Sequence, residues 1–172
     1  MPLKAFAIIA AALAGAAAMI GAALLYMSDD PDPHAYPGSK PGFSLEDAQK
    51  QSSVPLPECA RDTAKFYLGS AFADSTIVMD FTAPDECVAS FLTGVGIDAS
   101  TPVVLWRPVF EESSPPIHPP ARSGITWDFP PTDRVECWTV RRTDGVNDHS
   151  VRVVVNRSAQ PQHVYIRAIV AN

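Results

Sequence analysis

A chain of 172 residues with 19 acidic and 13 basic side chains carries a net charge of −6 at neutral pH. That balance repels phosphate backbones and argues against nucleic-acid binding. About 145 residues remain once the apolar N-terminus is set aside, enough for one domain with a buried core.

The first segment dominates the pattern. From Ala5 to Met27 there is no charged residue. A helix of that length spans about 34 Å, enough to cross a bilayer core. A cleaved signal peptide is the alternative, because small-residue triplets occur at Ala14-Gly15-Ala16 and Gly21-Ala22-Ala23. Apolar sequence runs on past the first triplet through Leu24, Leu25 and Tyr26, which favours a retained anchor. Lys4 precedes the segment, whereas Asp29, Asp30 and Asp32 follow it. The positive-inside rule therefore puts the N-terminus in the cytoplasm and the rest outside. The expected organisation is a membrane segment over 1–27, a Pro-rich tether over 28–53, and an extracytoplasmic domain over 54–172.

Within the tether, residues 44–51 predict a short helix, with Ser44 and Asp47 at capping-box spacing. Residues 63–70 and 75–82 alternate and predict an antiparallel hairpin, with Ala64, Phe66 and Leu68 matched by Ile77, Met79 and Phe81. A helix is expected over 82–96, with Pro84 in the first turn and Asp85 and Glu86 at its positive end. A strand over 102–110 leads to the loop 111–124 and an extended piece over 125–133. Three further strands, 134–142, 149–157 and 163–171, are joined by short connections that favour an antiparallel meander. The order ββαββββ predicts an α+β domain in which one helix covers an antiparallel sheet.

Three cysteines are an odd count for an exported domain. The hairpin arithmetic places Thr63 opposite Thr82, and so brings Cys59 near Cys87. A Cys59–Cys87 disulfide is expected, with Cys137 as a buried free thiol.

The search for chemistry assigns no catalytic, metal-binding or cofactor-binding residue. His34, His118, His149 and His163 form no metal or protease motif, and no nucleophile elbow or phosphate loop occurs. Asp148, His149 and Ser150 are adjacent, but neighbours on a strand point to opposite faces. Asn156-Arg157-Ser158 is a glycosylation sequon, which matters only in a host that uses it.

The valines of the C-terminal strands predict one buried sheet face. The opposite face is then expected to carry Trp138, Val140, Arg152, Val154, Tyr165, Arg167 and Ile169, a mixture typical of protein interfaces. Two readings of it stay open: the loop 111–131, with Trp127, folds over this face, or the face takes a partner or ligand.

The Ala-rich anchor, Pro-rich tether and small Cys-containing domain resemble the small uncharacterised membrane-anchored or secreted proteins of high-GC actinobacteria. Residues 55–92, from "PLPECARDTAKFYLGS" to "DECVASFL", are similar to their strand–strand–helix openings. The resemblance implies an envelope location and carries no site residue. The expected function is a membrane-anchored binding domain of the cell envelope, attached through residues 5–27, with an envelope protein or small ligand as partner. The alternatives are a hydrolase assembled from distant residues such as His118, Asp128 and His149, and an accessory subunit of a membrane complex.

Overall fold

The computed structural model describes residues 32–70, 74–98, 100–106, 117–120, 123–130, 132–143 and 148–171. The expected membrane segment lies outside these residues. Among them, no helix is long and apolar enough to cross a membrane.

The elements are α1 (Leu45–Ser52), a 3-10 turn (Glu58–Thr63), β1 (Lys65–Ser70), β2 (Asp74–Ala83), α2 (Asp85–Gly94), β3 (Val104–Trp106), β4 (Val135–Thr143), β5 (Asp148–Asn156) and β6 (Gln162–Ala171). They form an α+β domain with a six-stranded antiparallel sheet in the order β1-β2-β6-β5-β4-β3. The β1–β2 register pairs Lys65 with Asp80, as the hairpin arithmetic requires. Thr63 meets Thr82, its hydroxyl donating to the Thr82 carbonyl at 2.7 Å.

The main core lies on one sheet face. Phe66, Met79, Ile166 and Val153 line one cross-strand row and are fully buried. Both helices cover this layer, where one was expected. Leu45 and Ala48 of α1 and Val88, Phe91 and Leu92 of α2 join the same cluster. The Phe91 ring meets Phe81 edge-on at 5.1 Å. Ser44 caps α1 through the expected capping box with Asp47.

The expected tether is shorter than its composition suggests. From Asp32 onwards the chain belongs to the domain. The Asp32 carboxylate accepts from the backbone of His34 and Leu45, at 2.7 and 3.0 Å. Residues 34–40 run along the free edge of β1, with Tyr36 N–H donating to the Phe66 carbonyl at 2.7 Å and Lys40 N–H to Leu68 at 3.1 Å. Proline and glycine content signals irregular backbone, and irregular backbone can still satisfy a sheet edge.

A second correction concerns β4. Its register with β5 pairs Trp138 with Val153 and Cys137 with Val154. Trp138 therefore belongs to the main core, with Val140 packed against it, and not to the opposite face. A one-residue difference in register exchanges the two faces of a strand. β3 covers Val104–Trp106 of the predicted 102–110, and 107–110 lie outside the described residues.

A polar chain closes one end of the core. The buried Glu136 carboxylate accepts from Arg134 at 2.7 Å and from Arg157 at 2.8 Å. Arg157 donates to Gln162 at 2.6 Å, and Gln162 to Asp85 at the start of α2 at 2.8 Å. This ties the helix to β6 and β4 through Arg157, the residue that follows β5.

Cys59 and Cys87 form the expected disulfide, which joins the 3-10 turn to α2, and Cys137 is a buried free thiol. The bridge spans a sequence separation of 28, and a loop of that size contributes on the order of 3–4 kcal/mol in the chain-entropy model. Cys59→Ser and Cys87→Ser should lower unfolding free energy by that amount, equally within error, in denaturant titration. Alkylation without reduction should label one cysteine in the unfolded native chain. Trp138→Ala should cost about 3–5 kcal/mol, as for a large core side chain.

Candidate functional site

The second face of the sheet holds the remaining chemistry. Cross-strand pairing places Asp80, Tyr165, Val154 and Cys137 in one row. The next row on this face is Val78, Arg167, Arg152 and Thr139, and the one after it Thr76, Ile169, Ser150 and Arg141.

The first row is closed over. Ile117 and Phe129 form a second apolar cluster with Val135, Cys137, Val154 and Tyr165, and Trp127 packs against it. The ring centroids of Trp127 and Phe129 lie 5.1 and 4.9 Å from that of Tyr165. Here the proline-rich segment does fold over the sheet, as one of the two open readings requires.

Beneath this cover sits a polar group that sequence reasoning missed. Asp80 is 6% exposed. Its carboxylate accepts from the Tyr36 hydroxyl at 2.6 Å and lies 2.9 Å from His163 Nε2. The His163 ring stacks on Tyr165 at 4.1 Å. The only trace of this in the sequence is a charged residue inside the apolar run "TIVMDFT". Neither Tyr36 nor His163 is near it in the chain. Burial, then the hydrogen bond and charge of Asp80, push the Tyr36 phenol well above its ordinary range. Burial, together with the charges of Asp80, Asp133 and Asp128, pushes Tyr165 up to about 12. The Trp127 indole N–H is close enough to offset part of the Tyr36 rise, yet its geometry falls short of a hydrogen bond and the atom is buried without a partner.

Cys137 faces this cluster. Burial raises its thiol to about 11, with Glu136 adding to the rise and Arg152 opposing it. Such a thiol is a poor nucleophile at neutral pH.

The next two rows are open on β4 and β5, whereas Val78 at their β2 end is fully buried. Arg152, Thr139, Ser150 and Arg141 are exposed, Ile169 is 38% exposed, and Arg167 is half-buried. Of the residues expected on this face, Arg152 and Arg167 thus belong to the open half. Tyr165 and Trp127 belong to the covered half, and Trp138 lies on the opposite face. His118 and Asp128 are exposed and share no hydrogen bond. Their expected partner His149 pairs through its backbone with Arg142 and Val170. Among the described residues, no group of His, Cys, Asp and Glu is placed to hold a metal ion.

The sequon asparagine is also accounted for. Asn156 is buried, donates to the Asp133 carboxylate and accepts from the Ser158 backbone at 2.9 Å.

No family model, curated protein or solved structure matches the chain.

The raised groups set an alkaline limit. Burial in the fold pushes Cys137 up to about 11 and Tyr165 up to about 12, from ordinary values of 9.0 and 10.0. The neutral forms are favoured by folding, so their contribution is complete below the unfolded values. Above them the unfolded chain loses protons that the folded chain keeps, and stability falls. Unfolding midpoints should therefore be insensitive to these groups below pH 9 and decline through pH 9–12. Cys137→Ala should remove the earlier part of that decline.

Proposed function

We propose that this protein is a membrane-anchored extracytoplasmic domain that binds a partner through the open half of its second sheet face. One observation carries the reading. Arg141, Thr139, Ser150, Arg152 and Ile169 are exposed on that face beside the half-buried Arg167, while Asp80, Tyr165, Val154 and Cys137 in the covered row are buried. The set combines three arginines with an isoleucine and two hydroxyl residues, a composition that suits recognition better than solvation alone. The Cys59–Cys87 disulfide favours an oxidising compartment. The uncharged stretch from Ala5 to Met27 supports an anchor.

The hydrolase alternative draws on the Asp80–His163 pair. A carboxylate that orients an imidazole is half of a catalytic arrangement. Among the described residues, however, no serine, threonine or cysteine side chain hydrogen-bonds to His163.

Two measurements test the proposal. Intact mass of protein from membrane and soluble fractions should show the full-length chain in the membrane; a shortened soluble chain would replace the anchor by a cleaved signal. Arg152→Ala and Arg141→Ala should change unfolding free energy by no more than about 0.5 kcal/mol, as exposed positions do. Unfolding of either variant would show that the face is structural.

A further inference from the structure

We propose that the outer edge of β3 pairs with the same edge of a second copy of this chain, joining two six-stranded sheets into one. This surface is separate from the patch described above and does not depend on it.

The exposed apolar side chains are the first observation. Among the described residues, four large hydrophobic side chains are exposed, and three of them are consecutive. Val103, Val104 and Leu105 are 48%, 65% and 52% exposed. Successive residues of a strand point to opposite faces, so Val104 is uncovered on one face of the sheet and Leu105 on the other. A layer laid over one face would leave the other bare. Extending the sheet by another strand covers both.

The strand order is the second observation. β3 pairs with β4 on its inner side, and no described residue pairs with its outer side. The backbone N–H and C=O groups of such an edge are a template for a further strand. The opposite edge of the sheet is closed by residues 34–40. There Phe66 N–H donates to the His34 carbonyl at 2.9 Å, and Tyr36 N–H to the Phe66 carbonyl at 2.7 Å. With one open edge per chain among the described residues, the assembly closes at two; a second open edge would build a fibre.

Charge selects the occupant. The chain carries a net charge of −6, so two copies repel each other over most of their surface. Residues 99–106 carry no charge, and pairing this edge with itself sets no like charges opposite one another. In an antiparallel pair centred on Val104, that residue meets its own counterpart, and Val103 meets Leu105 of the other copy. Opposed residues share a face. Val103 and Leu105 of both copies therefore gather on one face, and the two Val104 side chains on the other. Pro102 has no N–H to give and ends the pairing at that side.

The test places a photoreactive residue at Val103 of the full chain and illuminates the cells that produce it. A crosslinked species of twice the chain mass is expected. The same residue at Thr93, exposed on α2, should give none. Val104→Lys should remove the double-mass species, and so should Val104→Glu, because each sets like charges opposite one another. Circular dichroism and the single free thiol should stay unchanged in both, since the position is exposed. Producing the two variants together should restore the species, because lysine then faces glutamate. A misfolded chain could not be rescued in this way. No crosslink, a crosslink confined to one chain, or a crosslink to a different protein would each overturn the proposal. Pairing of Val104→Lys as well as the parent, or no recovery in the mixture, would overturn it too.

Discussion

Ten cross-strand pairs join β2 to β6, from Asp74 opposite Ala171 to Ala83 opposite Gln162. This pairing links the N-terminal hairpin to the C-terminal meander, which are otherwise two local structures. It puts Met79 beside Ile166 on the core face and Asp80 beside Tyr165 on the other. Both layers of the domain depend on it. Without it, α2 would lose the Gln162–Asp85 contact that ties its start to the sheet, and the Asp80 carboxylate would lose His163. Contacts this distant in sequence are costly to close and are made worthwhile by the apolar surface they bury.

The second face shows how one sheet surface can serve two purposes. At one end, the Trp127 and Phe129 rings cover Tyr165, and the Tyr36 hydroxyl and His163 engage the buried Asp80 carboxylate, which would otherwise be desolvated at a net cost. At the other, Arg141 and Arg152 are exposed and Arg167 is half-buried. The boundary between the halves falls within β6, between Tyr165 and Arg167. Successive side chains on the same face of that strand thus pass from an aromatic cluster to an open cationic surface.

Much of this was legible from local pattern. Strict alternation in "TAKFYLGS" and "STIVMDFT" specifies a hairpin and its inward face, and a short connection restricts the register enough to bring Cys59 to Cys87. The helix over Asp85–Gly94 follows from acidic residues in its first turn and an apolar stripe behind them. The helix ends at Gly94, inside the expected 82–96, and the left-handed residue that follows is Gly96, with φ +73°. What failed was long-range or depended on parity. Trp138 is flanked by apolar and polar residues on both sides, so only the pairing of β4 with β5 decides its face. The 32–43 region has the composition of a linker, and nothing local reveals that its backbone hydrogen-bonds to β1. Asp80, His163 and Tyr36 are separated by dozens of residues and share no motif. Their meeting follows from strand order, which alternation does not encode.

The burial of Asn156 bears on how the protein can be produced. The side chain lies at the end of β5, enclosed by Asp133 and Ser158, with both of its polar atoms engaged. An oligosaccharyltransferase acts on extended chain as it enters the secretory lumen, before such an enclosure exists. A sugar attached at that moment has no room in the finished sheet, and it would separate the end of β5 from the Asp133 turn. Expression in a host with that enzyme therefore sets a race between strand closure and glycan transfer. A Ser158→Ala chain would escape the race at the expense of the Arg134 N–H contact to the Ser158 hydroxyl, whereas Asn156→Asp would set a buried carboxylate against that of Asp133.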